Sequence, residues 1–517
     1  MPDWSVMGGA ASDHAASRTF RLGFAGLLTT MALASLDQNI VSTALPRIVA
    51  EFGGLAHLPW VITGFMLTTT ATAPLYGKLS DMHGRPPLFV VAIAVFIAGS
   101  ALCGLARSMT GLILFRGLQG LGAGGLMVLA QTSIADLVPP RQRGRYQGLI
   151  TGVFALCSVA GPVLGGVITD ALSWRWIFYV NLPVGAAALG LILTGLPRPE
   201  RRLLAHRIDY VGALLLTTST AAFLLLLSWG GTMAAWSSPT ILGLGSAAVA
   251  LAGLLVARER VAPEPILPLG LFGNRVFAVA VAVVATTATA LFGTFVFLPT
   301  FFQLVADKSP SDAGLLTAPL MAGLIVASIV GGRLVSALGR YKRLSLLGLG
   351  LAIIGLAAIA VAVRWAAPLP VIEVALVVIG AGLGLVMPNL TVAIQNAVPP
   401  EMLGVATSAV SFFRSLGGAF GVALSGSLLT RNVDASLMLA GSTADAARRA
   451  VAGGAGVGGL PPAVHGLVAA AYRQAIGTTF ATGAAIAGFG LVLLLLLPEQ
   501  PLRDAAAGEA GAAPVGS

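Results

Sequence analysis

The chain has 517 residues, of which 56% are hydrophobic and only 10% charged, with 65 glycines and a mean hydropathy of +0.91. Soluble proteins carry about 25% charged residues, so this composition excludes a soluble multidomain enzyme and points to a membrane protein. The formal charge of +10 does not signal nucleic-acid binding, because the basic residues are scattered among loops and are not gathered on a soluble module.

Apolar runs of about 20 residues, each able to cross a ~30 Å hydrocarbon core as a helix, recur along the chain. Fourteen spans are predicted, at about 20–44, 58–79, 87–107, 111–136, 147–170, 175–196, 209–229, 240–257, 276–303, 313–338, 344–363, 370–397, 405–430 and 471–497. The first run is longer than a signal-peptide core, with Arg18 and Arg21 at its start, so it is expected to be a retained span. With the N-terminus inside, the inner loops and tails hold 19 Lys and Arg and the outer loops nine, which places both termini in the cytoplasm. Cys103 and Cys157 both fall in apolar runs, so neither a disulfide framework nor a metal cluster is expected.

Between the second and third spans lies "GKLSDMHGRPP", residues 77–87, a rare concentration of charge. Its echo at 332–342, "GRLVSALGRYK", keeps Gly332, Leu334, Gly339 and Arg340 in matching places but has Ser336 where the first copy has Asp81. Residues 111–144 also align without gaps on 371–404, pairing Gly120 with Gly380, Gly122 with Gly382, Gly124 with Gly384 and "PPRQRG" with "PPEMLG". The echoes lie eight spans apart, so the repeats share one orientation, as in transporters built from two six-helix bundles around a central site. Chance similarity between glycine-rich helices is the competing explanation.

The expected organisation is a cytoplasmic tail at 1–19, a six-helix bundle at 20–196, and a linker with two extra spans at 197–275. A second six-helix bundle follows at 276–497, then a cytoplasmic tail at 498–517. Basic stretches "PRPERRLLAHR" and "ARERVAPEP" flank the extra pair, and residues 431–470 form an Ala/Gly-rich outer loop with room for a short helix.

An ionisable side chain at membrane depth costs roughly 2.5–3.5 kcal/mol, so each one is a functional candidate. Among the 20 acids only Asp37 is deep, and all five histidines fall in loops. Asp37 lies 16 residues beyond Arg21, about 24 Å along a helix, and Arg116 in the fourth span lies at a similar depth. Gln119, three residues on, shares the face of Arg116. A carboxylate that alternates between a desolvated cavity and an adjacent arginine can take up and release a proton. A permanent buried pair that only fixes packing is the competing reading for both residues. In the fifth span Gly161, Pro162, Gly165 and Gly166 fall within two turns, where they deform the helix or simply permit close packing. "GLQGLGAGG" lies inside an apolar helix with no preceding strand, so it is not a dinucleotide fingerprint. There is no HExxH, nucleophile elbow or P-loop, which argues against an enzyme or an ATP-driven pump.

"GKLSDMHGRPP" resembles the loop signature of the major facilitator superfamily, and "LILFRGLQGLGAGG" its fourth-span motif. "LDQNIVSTALPRI", "GPVLGG" and "SWRWIFYVNLPVG", with the count of 14, resemble the 14-span drug:proton antiporters of bacteria, over residues 20–430. By that resemblance Asp37 matches the acid of the first-span motif, Arg116 the arginine linked to proton transfer, and Gly161 and Pro162 the antiporter motif. Gly77, Asp81, Gly84 and Arg85 match the cytoplasmic gating loop. Asn39 departs from a frequent Thr, and Pro86 and Pro87 replace a basic pair.

The resemblance implies an all-α major facilitator fold in the plasma membrane, the inner membrane of a bacterium. It implies export of a hydrophobic or cationic drug in exchange for protons, by a monomer with no cofactor and no nucleic-acid partner. A dedicated exporter of one endogenous lipid or antibiotic, or a non-transport sensor, is the alternative.

Overall fold

The computed structural model describes residues 10–53, 57–196, 208–231, 233–438 and 462–503; residues 1–9 and 504–517 of the tails, the linker at 197–207 and most of the 431–470 loop lie outside them. Among the described residues the regular structure is helical, apart from one bridge between Gly230 and Ala234.

The helices are α1 (Ala10–Phe52), α2 (Leu58–His83), α3 (Arg85–Gly104), α4 (Met109–Leu137), α5 (Pro140–Ala171), α6 (Trp176–Tyr179) and α7 (Asn181–Gly195). Next come α8 (Tyr210–Trp229), α9 (Pro239–Val261), α10 (Arg275–Phe295), α11 (Leu298–Leu304) and α12 (Pro310–Leu315). The rest are α13 (Ala318–Leu338), α14 (Lys342–Arg364), α15 (Leu369–Ala397), α16 (Leu403–Met438) and α17 (Pro462–Leu495).

Among the described residues, thirteen helical stretches are long and apolar enough to cross a membrane, against the fourteen expected. The difference is α2, whose run of threonines, Lys78 and Asp81 dilute its apolar character. The expected span at 276–303 is two helices, α10 and α11, with Pro299 in the first turn of the second, where its missing N–H is tolerated. The sixth expected span likewise divides into α6 and α7. Pro162 does not interrupt α5, which runs unbroken to Ala171.

α1 packs on α5 and α7, and α4 on α2 and α3; α15 packs on α13 and α14, and α10 on α16 and α17. Two equivalent contacts join these groups, α2 against α16 and α5 against α13. Both are glycine-lined. A Cβ on Gly77 would lie 2.6 Å from the Gly404 carbonyl oxygen, and one on Gly148 would lie 2.5 Å from that of Ser328. The extra helices α8 and α9 pack on each other, with α8 resting on α2 and α16.

Candidate functional site

Asp37, on α1, is wholly buried. Its Oδ2 accepts from Arg116 Nη1 on α4 at 2.7 Å. Its Oδ1 accepts from Gln119 Nε2 at 2.8 Å and from Asn181 Nδ2, at the start of α7, at 2.7 Å. Gln119 Oε1 in turn accepts from Arg116 Nη1 at 2.7 Å. Ser100 Oγ on α3 accepts from both amides, at 2.6 Å from Gln119 and 3.0 Å from Asn181. Arg116 also donates from Nε to the Val61 carbonyl at 3.4 Å and lies over the Phe65 ring, 4.0 Å from its centroid. Five residues from four helices therefore close one network with no water-exposed member.

Removing two charges from water is expensive, and a buried pair holds only with good geometry and additional hydrogen bonds. Both conditions are met here. The carboxylate takes three donors, one on Oδ2 and two on Oδ1. The glycines of α4 make room for this: a Cβ on Gly120 would meet the Phe65 carbonyl at 2.5 Å, and one on Gly124 the Thr69 carbonyl at 2.6 Å. On α3, Gly99 fits directly against the Gln119 backbone.

The α5 motif backs the same stretch of α1. A Cβ on Gly161 would lie 2.7 Å from the Cβ of Asn39, and one on Gly165 would lie 2.5 Å from the Ile40 carbonyl. Gly166 faces open space, so of the three glycines it alone is not required by packing.

The second constellation sits where α2 meets α16. Asp81 Oδ1 accepts from the Gly404 N–H and Oδ2 from the Val405 N–H, each at 2.8 Å, so this carboxylate caps the start of α16 from the opposite group of helices. Arg85 reaches Asp81 at 2.7 Å and Asp136 at 2.8 Å, and also donates to Ser80 Oγ. Gly84 has φ +84°, a left-handed conformation that suits glycine and turns the chain from α2 into α3. Gly339 makes the equivalent turn at φ +67°.

The echo of this loop inverts the chemistry. Ser336 Oγ bonds its own helix at the Gly332 carbonyl, and the contact to α5 is a cation donating to a carbonyl, Arg141 Nε to Ser336 O at 3.3 Å. Arg143 extends the same closure, donating to the carbonyls of Val138 and Ala135 on its own side and of Gln395 on the other. Residues 498–503 lie across this end: the Leu502 N–H donates to Gly339, and the Arg503 carbonyl accepts from the Arg141 N–H. At the Asp81 end the two groups of helices are thus closed upon each other.

The structure brings the expected Asp37, Arg116 and Gln119 together and adds Asn181 and Ser100, which the sequence reading did not single out. Asn181 stands in "SWRWIFYVNLPVG" as its last polar side chain before an apolar run, a signal that was available. Ser100 carried none, since a serine in a span reads as packing.

The family model described as Major Facilitator Superfamily matches residues 27–422. The Uncharacterized MFS-type transporter Rv1877 of Mycobacterium tuberculosis is 39% identical over 484 residues, covering 93% of this chain and 70% of that one. Multidrug transporter protein MdtP of Bacillus subtilis is 40% identical over 412 residues, 78% of this chain and 74% of the relative. Among solved structures, the proton:xylose symporter XylE superposes with a TM-score of 0.62 at 16% identity, over 94% of this chain and 98% of that one.

Proposed function

The chain belongs to the Major Facilitator Superfamily and is a membrane-embedded transporter, and on that premise we propose that it exports small hydrophobic or amphipathic compounds in exchange for protons, with Asp37 as the proton carrier. The observation that carries this reading is the closed network at Asp37: a deep carboxylate whose charge is balanced by an arginine that a proton could replace. The name of the relative MdtP supports a drug-like cargo.

In this account the Asp81 end faces the cytoplasm, in the plasma membrane of a bacterium, because the basic loop residues concentrate there with both termini. The closed Asp81 end then corresponds to a carrier closed toward the cytoplasm. Protonation of Asp37 from the outer side removes the charge that holds Arg116, Gln119 and Asn181, and frees α4 and α7 to shift against α1. The two groups of helices then rock, the Asp81 contact opens, and cargo enters as the proton leaves. Arg116, returning to Asp37, expels that proton. One proton crossing ~100 mV supplies about 2.3 kcal/mol, which supports a roughly 50-fold gradient of a neutral compound.

The test uses everted membrane vesicles with a respiration-driven pH gradient and a fluorescent pH probe. Addition of a transported compound should dissipate the gradient in wild type and not in Asp37→Asn. Equal dissipation in both would remove Asp37 from the mechanism, and a full drug panel without effect would remove proton antiport.

A further inference from the structure

α16 carries a cation that the reading above leaves unused. Arg414 lies 11 residues beyond Leu403, about 16 Å along the helix and so near mid-membrane. It makes no hydrogen bond, ion pair or ring contact among the described residues. Its surface is intermediate in exposure, neither sealed among other side chains nor fully open. An unpaired charge at this depth is costly and calls for a partner that comes and goes.

The packing of α16 fixes where Arg414 looks. Gly404, Ser408 and Phe412 form one stripe, set against Gly77 and Leu75 of α2. Gly417 and Gly421 form another, pressed on Ala285 and Thr289 of α10. Thr407, Ser411, Arg414 and Gly418 follow the i, i+4, i+7, i+11 spacing of a third face, between those two. At its lower end Thr407 accepts from Gln395 of α15 at 3.1 Å, and at its upper end Gly418 lies under the Phe292 ring of α10. This face therefore looks into the space that α2, α10 and α15 enclose. Two further observations mark it as a ligand surface. Ser411 Oγ is buried, with 7% of the residue exposed, and has no hydrogen-bond partner among the described residues. Phe292, on a helix otherwise largely buried, leaves 44% of its surface open beside Gly418.

We propose that Arg414, Ser411 and Phe292 form the cargo site for an amphipathic aromatic acid, with Arg414 and Ser411 holding its carboxylate or sulfonate and Phe292 its ring. A guanidinium matches a carboxylate bidentately, and an aromatic face accepts the apolar body. This deepens the export reading and rests on it, replacing the cationic cargo that the family resemblance implies. Division of labour follows. The first half holds the proton at Asp37, and the second holds the cargo's charge; the PPxxxG alignment places an apolar Phe154 at the position equivalent to Arg414. The energetics agree, because an anion leaving as a proton enters moves two charges down the membrane potential. That drives a gradient on the order of 2,000-fold per ~100 mV, where a monovalent cation would gain nothing from the voltage.

Thermal unfolding of the full chain in detergent tests the site with three matched probes: 2-naphthoate, 2-naphthamide and 2-(aminomethyl)naphthalene. Wild type should be stabilised by the acid at low millimolar concentration and more weakly by the other two. Arg414→Gln should weaken acid binding tenfold or more, Arg414→Lys should retain part of it, and unliganded Arg414→Gln should unfold no earlier than wild type. A preference for the amine or amide, no response to the acid, acid binding by Arg414→Gln within twofold of wild type, or earlier unfolding of unliganded Arg414→Gln would each overturn the assignment. Naphthoate-driven proton movement in the everted vesicles separates the two readings. Binding without proton movement keeps the site and defeats antiport; proton movement driven by ethidium, with no binding of the acid, keeps antiport and defeats the site.

Discussion

Replacing Asp81 with Asn should open the end at which α2 meets α16. In the closed form the carboxylate receives two backbone N–H groups at 2.8 Å from the first turn of α16 and an ion pair from Arg85 at 2.7 Å. Its side chain is 6% exposed, so solvent screens these interactions little. Hydrogen bonds to a charged group contribute about 1.5–3 kcal/mol each, and a neutral one about 0.5–1.5. Asparagine keeps one acceptor and turns an amide NH2 toward a second donor, while Arg85 retains Asp136. The net loss is about 2–3 kcal/mol, a roughly 30- to 150-fold shift of the closed-to-open equilibrium. Spin labels at the exposed positions His83 and Glu401, with Cys103 and Cys157 replaced, report the distance across this end. Asp81→Asn should add a second, longer distance population and reduce transport while cargo binding persists. An unchanged distance distribution would refute the latch.

Ser336→Asp would supply the missing acid beside Arg141 at the start of α5, and should hold the end closed and slow efflux several-fold in the vesicle assay. Gly165→Ala should cost about 1–3 kcal/mol, since its Cβ would lie 2.5 Å from the Ile40 carbonyl, whereas Gly166→Ala should leave the unfolding midpoint unchanged; equal effects would contradict the packing account. Asn181→Ala removes one of three donors to Asp37 and one of two to Ser100 in a fully buried site, and should lower stability by about 1–3 kcal/mol in thermal unfolding.

The two candidate centres were legible in the sequence for different reasons. Asp37 stood out by elimination among the acids, because a carboxylate in an apolar run has few reasons to be there, and helical rise put Arg116 at a similar depth; Arg414, an equally deep cation, was passed over. Gln119 followed from its i+3 spacing. Asn181 reaches Asp37 from 144 positions away along the chain, a contact that no local pattern encodes. The gating loop was visible as a charge cluster, but its ligand was not: Gly404 and Val405 act through backbone N–H groups, which any sequence supplies equally. The break between α10 and α11, and the polar character of α2, show where a threshold on apolar length fails. Proline in a first turn permits a new helix to begin within one apolar run, and a helix that packs on both α4 and α16 can carry threonines through its length.

Proton coupling through Asp37 is tested most directly by comparing exchange with uphill transport in proteoliposomes. Wild type and Asp37→Asn would be loaded with radiolabelled 2-naphthoate or ethidium, whichever dissipates the vesicle pH gradient. Asp37→Asn should exchange labelled for unlabelled compound at a rate near wild type, yet fail to concentrate it when a pH gradient is imposed. Accumulation by Asp37→Asn that follows the imposed gradient as in wild type would contradict the account.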